Sequence, residues 1–197
     1  MPAIRKVTRD DVANAALDVL RESGFSAVNA RSVAQKLGCS TQPIYRVFGS
    51  MDELKTEMAS RAVKEHTRRI TAAVNGNDGS RSRYSDFGFG FVRFAEQEKQ
   101  LFRWFYLEDG QGARRVSDVH SPEIIATIME EYGYSEEIAQ KFHRDMTFFS
   151  YGIAVLANTG TLSLSDSELF DTFHREFVAL TNVYGAPPKT PPTSPSR

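Results

Sequence analysis

The residues best suited to specific chemistry stand close together in the first quarter of the chain. Thr41, Gln42, Tyr45 and Arg46 are spaced so that they share the outer side and first turn of one helix. Gln and Arg side chains can pair with base edges in a DNA groove, whereas Thr, Tyr and the N–H groups at a helix start suit phosphates. This outer face holds no acidic residue. The pattern therefore predicts a surface for nucleic acid.

Two short helices joined by a turn must position that surface. Asn29 can cap a helix of about eight residues that stops at Gly38, and a second helix then begins with Pro43 in its first turn. The inward side of the second helix consists of apolar residues: Ile44, Val47 and Phe48. A helix, a turn and a second helix form the helix-turn-helix arrangement, whose second helix enters the major groove of DNA.

Further helices are predicted on both sides of this segment. Thr8 can cap a first helix that ends at Gly24, and Ser50 opens a longer one that runs to about Val74. The composition of residues 75–80 predicts a loop.

Beyond residue 80 the apolar spacing stays helical. Phe87, Phe91 and Phe94 recur at helical spacing, which favours a helix over the strand that the Phe-Gly alternation would also permit. Gly110 and Gly112 predict a loop, and Ser121 followed by Pro122 predicts the next helix start. Two long helices follow, from Ser135 to Asn158 and from Asp166 to Tyr184. No run of alternating strands occurs, so we predict an all-α fold.

The helices group into a head, a body and a tail. We predict a helix-turn-helix domain over residues 1–50, a helical ligand-binding and dimerisation domain over 51–184, and a disordered proline-rich tail over 185–197. Residues 1–70 carry a net charge of +4 and residues 71–197 a net charge of -5, and most aromatic residues follow residue 80. This asymmetry suits a head that faces a polyanion, although ordinary fluctuation could also produce it.

Several classes of protein are disfavoured by composition. A single cysteine excludes a disulfide framework and a cysteine-based zinc site, and the charged start lacks a signal peptide, so we expect a cytoplasmic protein without metal or cofactor. The uncharged run 146–165 is polar in its second half, which argues against a membrane span. No nucleophile elbow, P-loop or zinc-protease motif is present, and the four histidines are scattered, so we do not expect an enzyme.

The head resembles the DNA-binding domain of TetR-family transcriptional regulators over about residues 8 to 60. The resemblance is carried by landmarks in order: Gly24-Phe25, Arg31-Ser32-Val33-Ala34, Leu37-Gly38, the segment from Ser40 to Arg46, Phe48 and Asp52-Glu53-Leu54. It implies a three-helix head, an all-helical ligand-sensing body and a homodimer joined by the last two long helices. It also implies that certain residues contact DNA, with Tyr45 mainly on phosphate: Asn29, Arg31, Ser40, Thr41, Gln42, Tyr45 and Arg46.

The sequence departs from the family pattern at Met51, where relatives often carry a lysine that touches the DNA backbone. Arg46, or an arm formed by Arg5, Lys6 and Arg9, could supply that charge instead. Cys39 in the turn reads best as a small buried hydrophobe, with a redox sensor as the alternative.

The body is interpreted from its aromatic residues. A largely apolar pocket for a small effector is predicted among Phe91, Trp104, Phe105, Tyr106, His143 and Tyr151, although most of these could be packing residues. The dimer interface is predicted among Phe148, Phe149, Ala154, Phe173, Phe177 and Leu180, several of which could pack within the chain. Together these features predict a homodimeric repressor that a ligand releases from a palindromic operator. The alternative is a helical dimer or adaptor that does not bind DNA, and activation in place of repression stays open.

Overall fold

The computed structural model describes residues 6–75, 82–108 and 111–187, without the side chains of residues 75 and 111–121. Every regular element in these ranges is helical, which confirms the all-α prediction. The helices are α1 (Arg9–Ser23), α2 (Ala30–Leu37), α3 (Gln42–Val47), α4 (Met51–Asn75), α5 (Arg83–Gln97), α6 (Lys99–Phe102), α7 (Gln111–Tyr132), α8 (Glu136–Thr159) and α9 (Asp166–Tyr184). A short 3-10 turn, Phe25–Ala27, follows α1, and a π-helical segment, Arg103–Leu107, follows α6.

The chain divides into two compact units. Residues 1–66 and 98–112 form the first, which we call the head unit, and residues 67–97 and 113–197 form the second, the body unit. The structural division therefore falls inside α4, whereas the sequence analysis placed a boundary at residue 50.

Side-chain caps set the helix starts of the head unit. The Thr8 hydroxyl accepts from the Asp11 N–H at 3.1 Å, and the Asp11 carboxylate accepts from the Thr8 N–H at 3.0 Å. Asn29 caps α2, and Gly38 ends that helix in the left-handed region at φ 65°. These helix boundaries confirm the sequence-based predictions, because capping depends on residues that are neighbours in the chain.

The first half of α4 belongs to the head core. Leu54, Met58 and Ala62 are buried on one side of α4. On its surface, Arg61 donates to Asp10 at 2.5 Å and to Asn14 at 2.8 Å, which ties α4 to α1. This packing explains why the head unit extends well past residue 50.

The body unit is built on α5 and α8. The buried Asn158 amide of α8 donates to the Ala95 carbonyl of α5 at 2.9 Å. The second half of α4 also packs on α5, where Gly90 allows close approach: a Cβ at that position would stand 3.0 Å from the Ala73 Cβ. The core of this unit includes Phe87, Phe89, Val92, Phe94, Phe142, Met146, Ile153, Phe173 and Leu180.

Two predictions around α7 are wrong. Gly112 lies in α7 and not in a loop, and Pro122 lies inside the same helix and not at its first turn. Proline costs an internal helix one backbone hydrogen bond, but its fixed φ is compatible with helical backbone, so the helix continues on both sides. A Ser-Pro pair alone does not distinguish a helix start from a tolerated interior proline.

Some predictions fall on residues that the structure does not describe: the loop over residues 76–80, Gly110 and the tail from residue 188 onward. Of the helices that are described, none is long and apolar enough to cross a membrane.

Candidate nucleic-acid interface

The helix α3 presents one apolar side and one polar side. Ile44 and Phe48 are each only 1% exposed and anchor the helix in the head core. On the opposite side Tyr45 is 53% exposed, and Gln42 and Arg46 are also exposed. Burial of the apolar side therefore forces the polar side outward, as the sequence predicts.

The outward side chains of α3 have no partner among the described residues. Among the described residues, the side chains of Gln42, Tyr45 and Arg46 have no hydrogen bond or ion pair, and the exposed Arg31 side chain of α2 has none either. The hydrogen-bonding groups of this surface are therefore not used by the described residues and are available to another molecule.

The turn before α3 adds smaller polar groups. Ser40 is exposed, and Thr41 stands at the start of α3 without using its hydroxyl as a cap. Asn29 differs from these two, because its side chain is occupied: its oxygen accepts from the N–H groups of Arg31 and Ser32, and its amide donates to the Ala27 carbonyl at 3.1 Å. In the structure Asn29 holds the start of α2.

Arg9 is a structural clamp of the head. Its guanidinium donates to the Val47 carbonyl at 2.8 Å, pairs with Glu53 at 2.7 Å and lies over the Phe48 ring at 3.9 Å from the centroid. These contacts join α1 to the end of α3 and the start of α4. The hydrogen bond from Arg9, together with that from the Gly49 N–H, lowers the pKa of Glu53 below its ordinary value. Arg9 is therefore engaged within the head, whereas Lys6 is exposed.

The start of α4 contains half of the predicted capping box. The Ser50 hydroxyl accepts from the Glu53 N–H at 3.1 Å, while the Glu53 carboxylate accepts from Gly49 at 2.7 Å. Met51 is half-buried at the first position of α4. Cys39, in the turn before α3, is half-buried and not in a disulfide.

Three of the predicted ligand-binding aromatics belong to the head unit. Trp104 stacks on Phe25 with ring centroids 5.8 Å apart, Phe105 is fully buried, and the Tyr106 hydroxyl lies 2.7 Å from Nε2 of His66. The same segment is anchored by Glu98, a buried carboxylate that accepts two hydrogen bonds from Arg21, at 2.8 and 2.5 Å.

The other three predicted ligand-binding residues lie in the body unit. The rings of Phe91 and Tyr151 are 5.3 Å apart, and burial raises the pKa of Tyr151 to about 12. The Tyr84 hydroxyl lies 3.3 Å from Nδ1 of His143, and burial lowers the pKa of His143 to about 4. The six residues are thus divided between the two units, and neither unit gathers all of them at one site.

The residues predicted for the dimer interface differ in their solvent exposure. Phe148 is 69% exposed, whereas Ala154, Phe173 and Leu180 are buried in the body unit. Phe149 packs edge-on against Phe173. The ring of Phe177 contacts those of Tyr132 and Phe142, with centroids 5.0 and 5.2 Å away.

Other apolar side chains on the last two helices are also exposed, and the sequence analysis does not predict them. They are Leu156 on α8 and Val178 and Val183 on α9. Leu156 stands two helical repeats of four residues after Phe148, with the exposed Gly152 between them, so the spacing could have revealed this stripe.

A cavity of about 370 Å³ opens in the body unit between α4, α5 and the start of α9. Its lining comprises Arg68, Arg69, Ala72, Ala73, Phe89, Gly90, Arg93, Phe94, Gln97 and Asp166. None of the six predicted ligand-binding residues is in this lining. The described residues contain no cluster of His, Cys, Asp and Glu suited to a metal ion.

A short helix with an outward polar face, held behind a capped helix and a tight turn, defines a helix-turn-helix protein. Residues 12–58 match the family profile described as "Bacterial regulatory proteins, tetR family". The chain is 34% identical over 92 residues to the HTH-type transcriptional regulator AlkX of Mycobacterium tuberculosis. That match spans 47% of this chain and 43% of the relative, so this chain matches less than half of the relative's length.

Solved structures share the fold over most of the chain. A TetR-like transcriptional regulator from Rhodococcus sp. RHA1 aligns with a TM-score of 0.61 at 16% identity, covering 92% of this chain and 98% of the other. The multidrug binding protein EbrR, complexed with imidazole, aligns with a TM-score of 0.56 at 14% identity, covering 85% of this chain and 93% of the other. Residues 12–58 therefore match the TetR family of bacterial regulatory proteins, and the chain as a whole shares the fold of these solved structures.

Proposed function

We propose that the protein is a homodimeric repressor that binds a palindromic operator and is released by a small ligand. The observation that carries the proposal is the outward face of α3. Gln42, Tyr45 and Arg46 are exposed there without a hydrogen-bond or ion-pair partner, and Thr41 stands at the start of the same helix. Acting on DNA, such a regulator would work in the bacterial cytoplasm.

The residues of this face suit different parts of DNA. Gln42 and Arg46 can form bidentate contacts with base edges, while Tyr45 and Thr41 suit phosphate oxygens. Arg31, exposed at the start of α2, adds a cation beside them. Asn29 contributes indirectly, because its side chain is occupied in capping α2.

Dimerisation would use the exposed apolar side chains of α8 and α9. Phe148, Leu156, Val178 and Val183 are exposed large apolar side chains, which an isolated body unit would leave in water. A twofold pair of these helices would form a four-helix bundle. Two heads on that axis would read half-sites about 34 to 36 Å apart or at a multiple of that spacing.

Ligand control follows if the ligand prefers the conformer that does not fit the operator. The body cavity provides a place for such a molecule, and the EbrR structure, which has the same fold, is a complex with imidazole. An adaptor that does not bind DNA is the alternative, and it gives no reason for the free polar face of α3.

Base reading is tested with the purified full chain and fragments of the DNA upstream of its own gene. We expect one fragment to bind specifically, and Gln42→Ala to lose about 1–3 kcal/mol of discrimination against competitor DNA. Gln140→Ala, on the exposed surface of α8, is the matched control. Binding to no upstream fragment, or equal discrimination by both variants, would favour the adaptor.

The dimer is tested by sedimentation of the wild type and two charged variants. Phe148→Glu is expected to shift the protein to a monomer and to weaken operator binding, whereas Met129→Glu, at an exposed apolar position of α7, is not. A wild-type monomer, or an unchanged dimer in Phe148→Glu, would reject this interface.

A further inference from the structure

Gly152 stands inside α8 at a place where the packing of the described chain leaves room for a side chain. Glycine within a helix lowers stability relative to alanine, so it is expected where a neighbour needs the space. A Cβ at Gly90 of α5 would stand 3.0 Å from the Ala73 Cβ, which explains that glycine. Beyond the backbone of its own helix, a Cβ at Gly152 would have no atom of the described chain within 4 Å. The packing of the described chain therefore does not require this glycine.

The exposed surface of α8 on both sides of Gly152 is apolar. Phe148, four residues before Gly152, is 69% exposed, and Leu156, four residues after it, is 44% exposed. Residues four apart lie on the same face of a helix, so the three residues form one row, which we call the α8 row. Exposed apolar side chains that lie together, unlike single ones, mark a surface for another molecule. The glycine leaves a gap between the two large side chains of this surface.

The α8 row fits a second copy of itself. In a twofold dimer both subunits use the same surface, and a residue on the axis meets its own copy. With the axis beside Gly152 and at a right angle to α8, the two copies of α8 run antiparallel. Phe148 of one subunit then meets Leu156 of the partner subunit on each side of the axis. Two facing glycines let the helices approach closely, because the distance between packed helices depends on the side chains at the contact.

The charges of α8 favour this antiparallel order. Glu136 and Glu137 are exposed in the first turn, Arg144 is exposed two turns later, and every Asp, Glu, Lys and Arg of α8 precedes Met146. A parallel pair would place each of these charges beside its own copy and would align the two helix dipoles. An antiparallel pair sets the charged half of one helix against the uncharged half of the other and opposes the dipoles, which is favourable.

We propose that α8 crosses its own copy at Gly152, antiparallel and on the twofold axis, with Phe148 of each subunit against Leu156 of the other. The inference rests on the dimer of the proposed function and fixes the register of its interface. It also gives Gly152 a role in choosing the partner. A helix with a larger side chain at the crossing would be held away from the α8 row, so the surface selects a second copy of this chain.

Disulfide trapping of the full chain tests the crossing, with Cys39→Ser removing the native thiol. A disulfide requires Cα atoms about 4.4–6.8 Å apart. At 1.5 Å per residue, the two copies of Phe148 lie at least about 12 Å apart, and those of Gln140 at least about 36 Å. With oxidised glutathione we expect Gly152→Cys to form a covalent dimer, and Phe148→Cys, Leu156→Cys and Gln140→Cys each to stay unlinked. A mixture of Phe148→Cys and Leu156→Cys should become linked after subunit exchange.

A larger side chain tests the close approach of the helices. Gly152→Leu is expected to weaken the dimer by about tenfold or more in sedimentation equilibrium, because the added volume would overpack the crossing. Gln140→Leu, at an exposed position of the same helix, should leave the dimer unchanged. Leucine favours a helix and meets no atom of its own chain at this site, so the subunit itself should stay folded, which a thermal melt checks.

The outcomes separate this crossing from the dimer on which it rests. A wild-type dimer that Gly152→Cys does not link, or that Phe148→Cys alone links, would overturn the antiparallel crossing and leave the proposed dimer standing. An unchanged dimer in Gly152→Leu would overturn the close approach. A wild-type monomer would reject the crossing together with the dimer. Since DNA is absent, none of these results bears on the operator experiments.

Discussion

Replacing Arg9 by glutamine separates a structural role from a DNA-contacting role. The variant loses the cation over the Phe48 ring, a contribution of about 0.5–1 kcal/mol at a partly exposed site. It also loses the charged hydrogen bond to the Val47 carbonyl, which we put at about 1 kcal/mol in view of its exposure. The pair with Glu53 lies at the surface and adds little. We therefore expect the free energy of unfolding to fall by about 1.5–2 kcal/mol.

Urea denaturation measures the loss of unfolding free energy. A salt series of operator binding shows whether Arg9 also neutralises a DNA phosphate. Each phosphate neutralised by a cation contributes about one unit to the slope of log affinity against log salt. Arg9→Gln should weaken binding at every salt concentration, because the end of α3 is held less firmly, while the slope stays the same. A slope shallower by about one unit with unchanged stability would show that Arg9 touches the DNA backbone, and it would refute the clamp.

The contacts of Arg9 also make the stability of the protein depend on pH. Arg9 and Gly49 lower the pKa of Glu53 below the ordinary value of 4.5, so the stabilisation is present above that pH and lost as pH falls through the lowered value. The stability difference between wild type and Arg9→Gln should therefore narrow in acid. A difference that stays constant down to the acid limit of folding would contradict this coupling.

Three further changes test the packing of the two units. Arg21→Gln should lower the free energy of unfolding in urea by about 2–4 kcal/mol, because it removes the guanidinium that binds both oxygens of buried Glu98. Gly90→Ala should lower the free energy of unfolding by about 1–2 kcal/mol, because the new Cβ would stand 3.0 Å from the Ala73 Cβ. The higher helix propensity of alanine offsets only part of this loss. Burial lowers the pKa of His143 to about 4, so wild-type stability should fall from about pH 6.5 towards 4, and His143→Gln should lose less.

Each of these changes has a matched control. Lys141→Gln breaks an exposed pair on α8 and should cost far less than Arg21→Gln. Gly152→Ala adds a Cβ where nothing of the same chain lies within 4 Å, so in the Phe148→Glu background, which removes the proposed dimer contact, it should not destabilise the body unit. An equal loss of unfolding free energy in a variant and its control would contradict the packing described. Identical pH profiles of wild type and His143→Gln would show that His143 is not buried in its neutral form.

Local signals made the head predictable from sequence. Thr8, Asn29 and Gly38 act on backbone groups within a few residues, and the spacing of Ile44 and Phe48 fixed which side of α3 faces the core. The helix starts and the outward polar face could therefore be read directly from neighbouring residues.

Long-range packing could not be predicted in the same way. Trp104 stacks on Phe25, which lies far earlier in the chain, and only the fold brings the two rings together. The contacts of Arg9 with the Val47 carbonyl and Glu53 join residues about 40 positions apart, so the spacing of charges near the start of the chain does not indicate them. The cavity is not predictable from the sequence, because its lining comes from α4, α5 and the start of α9, which only the fold brings together.

The outward face of α3 is tested most directly by operator binding over a salt series with Arg46→Ala. Lys64→Ala removes the same charge from an exposed position of α4 in the head unit and serves as the control. We expect Arg46→Ala to abolish or strongly weaken specific binding, and Lys64→Ala to behave like the wild type. Equal binding by Arg46→Ala and wild type, with equal salt slopes, would contradict the claim that α3 reads DNA.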